Sequence, residues 1–597
     1  MKRILPLLPV LLLLPLVACQ SGRPPAVSGN LKKWHTITLT FTGPKCSEQS
    51  DPNPFLDYRF DVTFRKGDHA FTVPGYFAGD GDAGNSSAAS GNKWRVHFCP
   101  DEEGEWSWYA TFRKGKEAAL SYEPESLPKA GWFDTAQGKF MVEASDKTGR
   151  DFRGKGRLEF YNQRYWRCAE NGEYLLRMGA ADDRFLAAAD FDAVPASSGP
   201  GDTRINGGEA HVQDWHPGDP VWHGERGKGA IGALNYLAAQ GLNGLSVLTL
   251  DMTGANGQVF PYTGREERLR FDISRLDQWE IVMEHANSLG LVLQLRTQEG
   301  ANQSLLDGGN LDTTRRLYYR ILIARFAHHP GLIWDLGEST KAAPSPESAA
   351  SRPQSADQRL DMAQYFYETD PYLHPLLFRN SGEFSELLTT GSKYTAALLR
   401  GPSRDLHTLV LQYHHLVDRR GLVWAVSALA TLPGSTGTAL ANGAVDQLRR
   451  EALWGPLMAG AAGVEWYAAA DDGGTAAHLR DWRLFEPLWH DSRNALNFFR
   501  GLPFVEMENC DDLISSGTGY CLCKPGEIYA LYLPKGGMVQ LDLRGAAGRL
   551  EERWFDPRTG DFTGETEFVQ GGGKKAIGPP GTPGKDWAVL LRAAAAL

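Results

Sequence analysis

The stretch Leu332-Ile-Trp-Asp-Leu-Gly-Glu338 is a short apolar run that ends in a carboxylate. It reads as a buried strand, too short for a core helix. Similar runs lie near Tyr174–Met178, Gly244–Leu250, Leu291–Leu295, Leu376–Phe378, Leu409–Gln412, Leu422–Val426 and Val464–Tyr467. Helical periodicity fills the intervals at Ile231–Gln240, Ser274–Ser288, Thr313–Ala327, Asp357–Thr369, Ala444–Met458 and Trp482–Arg500. Strand and helix alternating in this way predict a parallel sheet with crossover helices, and eight strands close a (β/α)8 TIM barrel. Such barrels carry their chemistry at the C-terminal ends of the strands, which is where Glu338 falls.

Outward from the barrel, expected over 156–504, the pattern changes on both sides. Over 31–145, Ile37–Phe41, Phe60–Phe64, Trp94–Phe98 and Trp106–Ala110 alternate apolar and polar residues between Gly, Pro and Asp turns. That pattern predicts an antiparallel β-sandwich. Alternation returns over 505–592, at Tyr529–Leu533, Val539–Leu543 and Trp587–Leu591, as a second, smaller β-sandwich. The expected fold class is therefore multidomain, with a central TIM barrel between two β-sandwiches, in keeping with 597 residues.

The first 19 residues have a different logic. Met1-Lys-Arg3 is basic, Ile4–Val17 is apolar but short and broken by Pro, and Leu16-Val-Ala-Cys19 resembles a bacterial lipobox. The resemblance implies lipid attachment at Cys19 and an exported lipoprotein at the outer membrane or cell surface, with Gln20 favouring the outer membrane. A net charge of −10 argues against nucleic acid as a partner. The 17 Trp and 20 Tyr supply faces that suit sugar rings, although β cores use Trp as well. Within the remaining cysteines we expect Cys46 to pair with Cys99, and Cys510 with Cys521 or Cys523, Cys521 being the preferred partner. Neither paired CxxC motifs nor Cys/His ligand spacing is present, so we expect no structural metal and no cofactor.

Longer motifs carry a family resemblance. Gly75-Tyr-Phe-Ala-Gly79, Trp94-Arg-Val-His-Phe98 and Gly104-Glu-Trp106 resemble an immunoglobulin-like domain of unknown function that precedes glycosidase-like barrels in bacterial exported proteins. Trp215–Pro220, Gly227–Leu237, Phe271–Ser274 with Asp277–Trp279, Leu306–Gly309, Arg316–Arg320 and Gly463–Tyr467 resemble the barrel of the same family, similar to apiosidase-type glycoside hydrolases. Trp554-Phe-Asp-Pro-Arg-Thr-Gly560 resembles the closing domain labelled a "putative collagen-binding domain of a collagenase". The resemblance implies a polysaccharide or glycan ligand, with an extracellular matrix protein as a further partner.

Glycoside hydrolysis ordinarily needs two carboxyl groups, about 5–5.5 Å apart for retention and about 6.5–9.5 Å for inversion. In such barrels they follow the fourth and seventh strands. The resemblance makes Glu338 the candidate general acid. Where the family has Gly-Glu-Glu-Asn, this chain reads Gly337-Glu338-Ser339-Thr340. After the seventh strand, Ser427-Ala-Leu-Ala430 offers no acid. After the third, Gln298-Glu-Gly-Ala-Asn302 keeps one acid where the family has two.

Glu299, Asp251 and Glu465 are the remaining acids near the strand ends, the first two as catalytic partners and Glu465 as a substrate-binding residue. Each also fits a plainer role, bonding a loop amide or an arginine. Gln298, Asn302, Trp466, Trp215 and Trp222 complete the expected sugar-binding set. His211, His216 and His223, in the long loop 191–229, match no ligand motif, and His328-His329 read as a helix terminus making local hydrogen bonds. Two outcomes follow: a hydrolase with an unconventional acid pair, or a barrel that has lost its nucleophile and binds glycan or matrix.

Overall fold

The computed structural model describes residues 24–194, 208–252, 259–339, 352–380, 385–432, 440, 442–468, 481–579 and 584–594. Residues 1–23, with the expected leader and Cys19, lie outside the described residues. At the N-terminus, two four-stranded antiparallel sheets face each other. One contains Ala26–Gly29, Ile37–Ser47, Ser90–Phe98 and Tyr76–Phe77, and the other His69–Pro74, Tyr58–Lys66, Gly104–Lys114 and Gln137–Val142. Alternate residues of a strand point to one face, so Ile37, Leu39 and Phe41 meet Phe60, Val62 and Phe64 in a dry interior. Aromatic rings dominate it: Phe112 stacks on Phe133 at 4.2 Å and Phe64 on Phe98 at 4.0 Å.

The central barrel is closed and parallel. Its strands are β1 (Arg177–Asp182), β2 (Gly244–Leu248), β3 (Val292–Arg296), β4 (Leu332–Ser339), β5 (Leu376–Asn380), β6 (Ala396–Arg400), β7 (Ala425–Leu432) and β8 (Gly463–Ala468). Pairing of Arg177 with Gly463 and of Ala180 with Trp466 joins the last strand to the first. Helices Lys228–Ala239, Ile273–Ser288, Thr313–Phe326, Ala356–Thr369, Leu406–Arg419 and Glu486–Arg500 cover the outside.

Two strands are misplaced, and the seventh, expected over Leu422–Val426, runs over Ala425–Leu432, so that Ser427–Ala430 lies within it. Tyr174–Leu175 belongs to a separate three-stranded sheet, and β1 begins at Arg177. Leu409–Gln412 lies inside helix Leu406–Arg419, and the sixth strand is Ala396–Arg400. A four-residue apolar run fits either structure. The helix buries Leu406, Val410, Tyr413, His414 and Val417, the spacing of a helical stripe. Ala396-Ala-Leu-Leu lacks the β-branched residues that mark strands.

The C-terminal unit packs a six-stranded antiparallel sheet and a three-stranded one. It docks on the barrel through Arg449, whose guanidinium donates to both carboxylate oxygens of Asp586 at 3.0 and 2.8 Å. Among the described residues no helix is long and apolar enough to cross a membrane.

The cysteine expectations change. Cys510 is bonded to Cys523 rather than Cys521. Residues two apart share one strand face, so spacing alone could not choose between them. Cys46 and Cys99 are both free and buried. Ile37 pairs with Phe98 and Cys46 with Gly91, so the two thiols sit at opposite ends of one ladder. That is roughly 20 Å or more of strand, far beyond the ~7 Å Cα reach of a disulfide.

Candidate active site

Inward-facing positions of a barrel usually hold branched apolar side chains. Here they hold charge. Glu465 on β8 is fully buried and receives Arg177 at 3.1 Å from β1 and Arg379 at 2.7 Å from β5. Arg379 also donates to Asp335 of β4 at 2.6 Å, and Gln294 of β3 donates to the same oxygen at 2.9 Å. Ser246 of β2 hydrogen-bonds Glu465 as well. Gly244 makes room for this layer, since a Cβ there would stand 2.9 Å from Cγ of Arg177. Burial alone would raise the Glu465 carboxyl, but Arg379 and Arg177 hold it below the usual range. Glu465 is therefore a buried partner in an ion network, not a residue at a sugar's edge.

Above this layer, at the C-terminal end of the strands, lies a cavity of about 110 Å³. It is lined by Asp183, Arg296, Glu299, Glu338, Arg379, Leu398, Arg400, Leu429 and Tyr467. Glu338 reaches it through a break in the pairing of β4 with β5. Asp335 points inward, and strict alternation would turn Glu338 outward. The register shifts between Asp335 and Glu338. Gly337 absorbs the shift at φ +98°, a conformation that glycine adopts freely. The Glu338 carboxylate then faces Arg400 of β6 at 3.5 Å.

Glu299 follows β3 at the same cavity. Asn302 donates to Glu299 at 2.6 Å and to Asp251 at 3.3 Å, and its own oxygen accepts from Met252 N at 3.2 Å. Asn302 is thus a fully buried brace. Burial, then the charge of Asp251, push the Glu299 carboxyl up to about 7, with Arg296 opposing. Asp183, just past β1, goes the other way: burial raises it, but Arg296 and a 2.9 Å hydrogen bond from Tyr467 hold it down at about 2.

Glu338 and Glu299 are therefore brought to one cavity. Asp251 stands behind Glu299, and Gln298 is buried, donating to Gln354 at 2.6 Å and accepting from Arg315. Trp222 is fully buried, stacked on Phe191 at 5.1 Å with its N–H on Asp190 O at 2.8 Å. Trp466 points out of the barrel and donates to Ser492 at 2.9 Å. Neither has a ring face left for a sugar, because a barrel strand alternates inward and outward residues and Trp466 follows the inward Glu465. Trp215 is half-buried, with Lys228 over its ring at 4.7 Å. His211, His216 and His223 bond Asp214, Asp219 and Asp192, outside the cavity lining.

Asp183, Arg296, Arg379, Arg400 and Tyr467 were not singled out from the sequence. A signal existed for three of them: an arginine directly after an apolar residue closes each of the runs Leu291–Arg296, Leu376–Arg379 and Ala396–Arg400.

Residues 30–113 match a domain described as "Domain of unknown function (DUF5060)", and residues 515–592 match "Putative collagen-binding domain of a collagenase". Among solved structures, the chain is similar to a putative glycoside hydrolase from Bacteroides vulgatus, with TM-score 0.64 and 13% identity over 94% of this chain and 99% of that one. It is also similar to a glycoside hydrolase family 5 structure from Bacteroides vulgatus, with TM-score 0.54 and 14% identity over 75% of this chain and 95% of that one. A third, described as a glycoside hydrolase, gives TM-score 0.53 and 15% identity over 75% of this chain and 99% of that one. No curated protein matches the sequence significantly. The chain thus joins a DUF5060 domain, a barrel of the glycoside-hydrolase fold and a C-terminal domain of the collagen-binding type.

Proposed function

We propose that this protein is exported, tethered through Cys19, and acts on a polysaccharide at the barrel mouth as a glycoside hydrolase. The observation that carries this reading is that Glu299 and Glu338 line one cavity in contrasting surroundings. Glu299 holds its proton up to about pH 7 and is the proton donor to the leaving oxygen. Glu338, facing the Arg400 guanidinium, is the second carboxylate. A carboxyl that keeps its proton near neutral pH is suited to the general-acid role. The role expected for Glu338 from the resemblance passes to Glu299, because Glu299 carries the buried, doubly disfavoured charge. The C-terminal domain supplies a second contact, to glycan or to a matrix protein.

A second reading rests on the opposite wall. Leu398 and Leu429 occupy the cavity side formed by β6 and β7, where the expected nucleophile is missing. On that reading the barrel binds glycan without cleaving it. A panel of plant, algal and animal polysaccharides, assayed for reducing ends with wild type, Glu299→Gln and Glu338→Gln, separates the two. Hydrolysis by wild type with a loss of about 10²–10⁴-fold in each variant supports the enzyme. Binding without release of sugar by wild type supports the glycan-binding barrel, and equal turnover by all three removes both carboxyls from the mechanism.

A further inference from the structure

At the barrel end opposite the cavity, four side chains with metal-ligating atoms converge. Helix Ile273–Ser288 carries Glu280 and Glu284 one turn apart, on one face. Helix Thr313–Phe326 runs out into His328-His329, just before Pro330. These helices precede β3 and β4, and their C-terminal halves bring the four side chains together beside the N-terminal sandwich. His328 Nε2 lies 2.7 Å and His329 Nε2 3.3 Å from one oxygen of Glu280, and His329 Nδ1 is 3.8 Å from Glu284. One donor atom from each of the four lies within 4.8 Å of the others.

The cluster is poorly satisfied as a set of ordinary hydrogen bonds. His328 is 2% exposed and His329 fully buried. Among the described residues, Nδ1 of His328 and the second oxygen of Glu280 have no partner, and the contacts of the other ring nitrogens with the two carboxylates depart from hydrogen-bonding geometry. Each buried polar atom left in that state costs about 1–3 kcal/mol. The backbone of His329 does bond locally, to Phe326 O at 3.2 Å, as a helix terminus would, but the two imidazoles turn to Glu280 of the neighbouring helix. Neighbouring His97, from the N-terminal sandwich, packs against His328 with ring centroids 4.6 Å apart and planes tilted by 39°. Both nitrogens of His97 are engaged, by Thr38 at 2.8 Å and Tyr76 at 2.6 Å, so it walls the cluster and is not a ligand.

We propose that Glu280, Glu284, His328 and His329 bind a divalent transition-metal ion, Zn²⁺ by donor type, in a structural site where the barrel meets the sandwich. Two imidazoles and two carboxylates suit a tetrahedral d¹⁰ ion. Metal–ligand distances of about 2.0–2.2 Å place tetrahedral donors about 3.3–3.6 Å apart, and the observed spacings of 2.7, 3.3 and 3.8 Å lie on both sides of that range. Glu284 is 42% exposed and forms the entry side. No spacing rule reveals such a set, because two helices far apart in sequence each contribute half of it.

The test uses the untagged chain from Gln20 onward. Metal content after dialysis is measured by mass spectrometry, then Zn²⁺ and Co²⁺ are titrated while melting and visible absorption are followed. We expect about one equivalent of metal per chain, a four-coordinate Co²⁺ spectrum, and a melting point lowered by EDTA and restored by Zn²⁺. Glu280→Gln and His329→Gln, if folded by circular dichroism, lose metal at least about tenfold. A folded wild type holding below about 0.1 equivalent, with no response to Zn²⁺ or Co²⁺, overturns the proposal. Stoichiometric metal persisting in both folded variants overturns it as well. The wild-type titration decides the matter even if the variants do not fold.

Discussion

A Cβ on Gly337 would stand 2.6 Å from Cγ of Gln298 and 2.8 Å from its carbonyl oxygen. β4 can therefore press against the loop after β3 only with glycine at this position, and that close approach is what carries Glu338 to the cavity. Gly337→Ala combines the clash with a left-handed backbone, so it costs about 1–3 kcal/mol of stability. Sugar binding or release falls at least about tenfold although every cavity side chain is retained. Denaturant titration and the polysaccharide assay check the pair of effects. An alanine variant with wild-type values in both would remove Gly337 from the argument.

Glu299 makes stability depend on pH. Its folded carboxyl titrates near 7, against an ordinary value of 4.5. Between those values the folded state binds more protons than the unfolded one, so stability falls as pH rises through the window. The loss approaches about 3 kcal/mol above pH 7 as an upper figure. Glu48 and Asp491, also raised to about 7, slope the same way. Comparing wild type with Glu299→Gln by urea titration at pH 5 and pH 8 isolates the Glu299 share. Parallel pH dependences in the two proteins would be incompatible with a protonated Glu299.

The ion layer inside the barrel responds differently from the cavity above it. Glu465→Ala leaves Arg177 and Arg379 buried without their shared carboxylate, and destabilises by about 3–5 kcal/mol. Glu338→Gln, beside a half-exposed Arg400, changes stability by about 0–1 kcal/mol while lowering any hydrolysis by about 10²–10⁴-fold. Midpoints from the same denaturant series would rank the two; comparable losses would mean that Glu338 is also a structural ion.

Alkylating the unfolded, unreduced protein and mapping its peptides should label Cys46, Cys99, Cys168 and Cys521, with Cys510 and Cys523 recovered as a linked pair. Cys521→Ser leaves that link intact and Cys523→Ser abolishes it. A peptide joining Cys46 to Cys99 would contradict the strand register.

Most of the architecture was legible because it rests on local periodicity. Alternation in Ile37–Phe41 marked a strand, and the helical intervals marked crossover helices, since burial repeats every two residues in one and about every 3.6 in the other. The misplaced strands were those where periodicity carried least. Ala396–Arg400 is weakly β-forming, and Leu409–Gln412 is too short to distinguish strand from helix. The error at β1 hid Asp183, because a strand begun at Tyr174 ends before the cavity is reached.

The chain's order of residues was enough to specify a barrel of alternating strands and helices, the carboxylate at the end of β4 and the lack of an acid at the end of β7. Only the folded structure decided which acids face one space. Glu465 turned inward into a cage of arginines, while Glu338 was carried by a single bulge to the cavity that Glu299 shares. It also decided that Trp222 and Trp466 are core, and that two helices bring Glu280 and Glu284 against His328 and His329. The reason is physical: propensity and burial period act over a few neighbouring residues. The charge a carboxyl holds depends on groups that chain closure brings from more than a hundred positions away, as Arg177 is to Glu465.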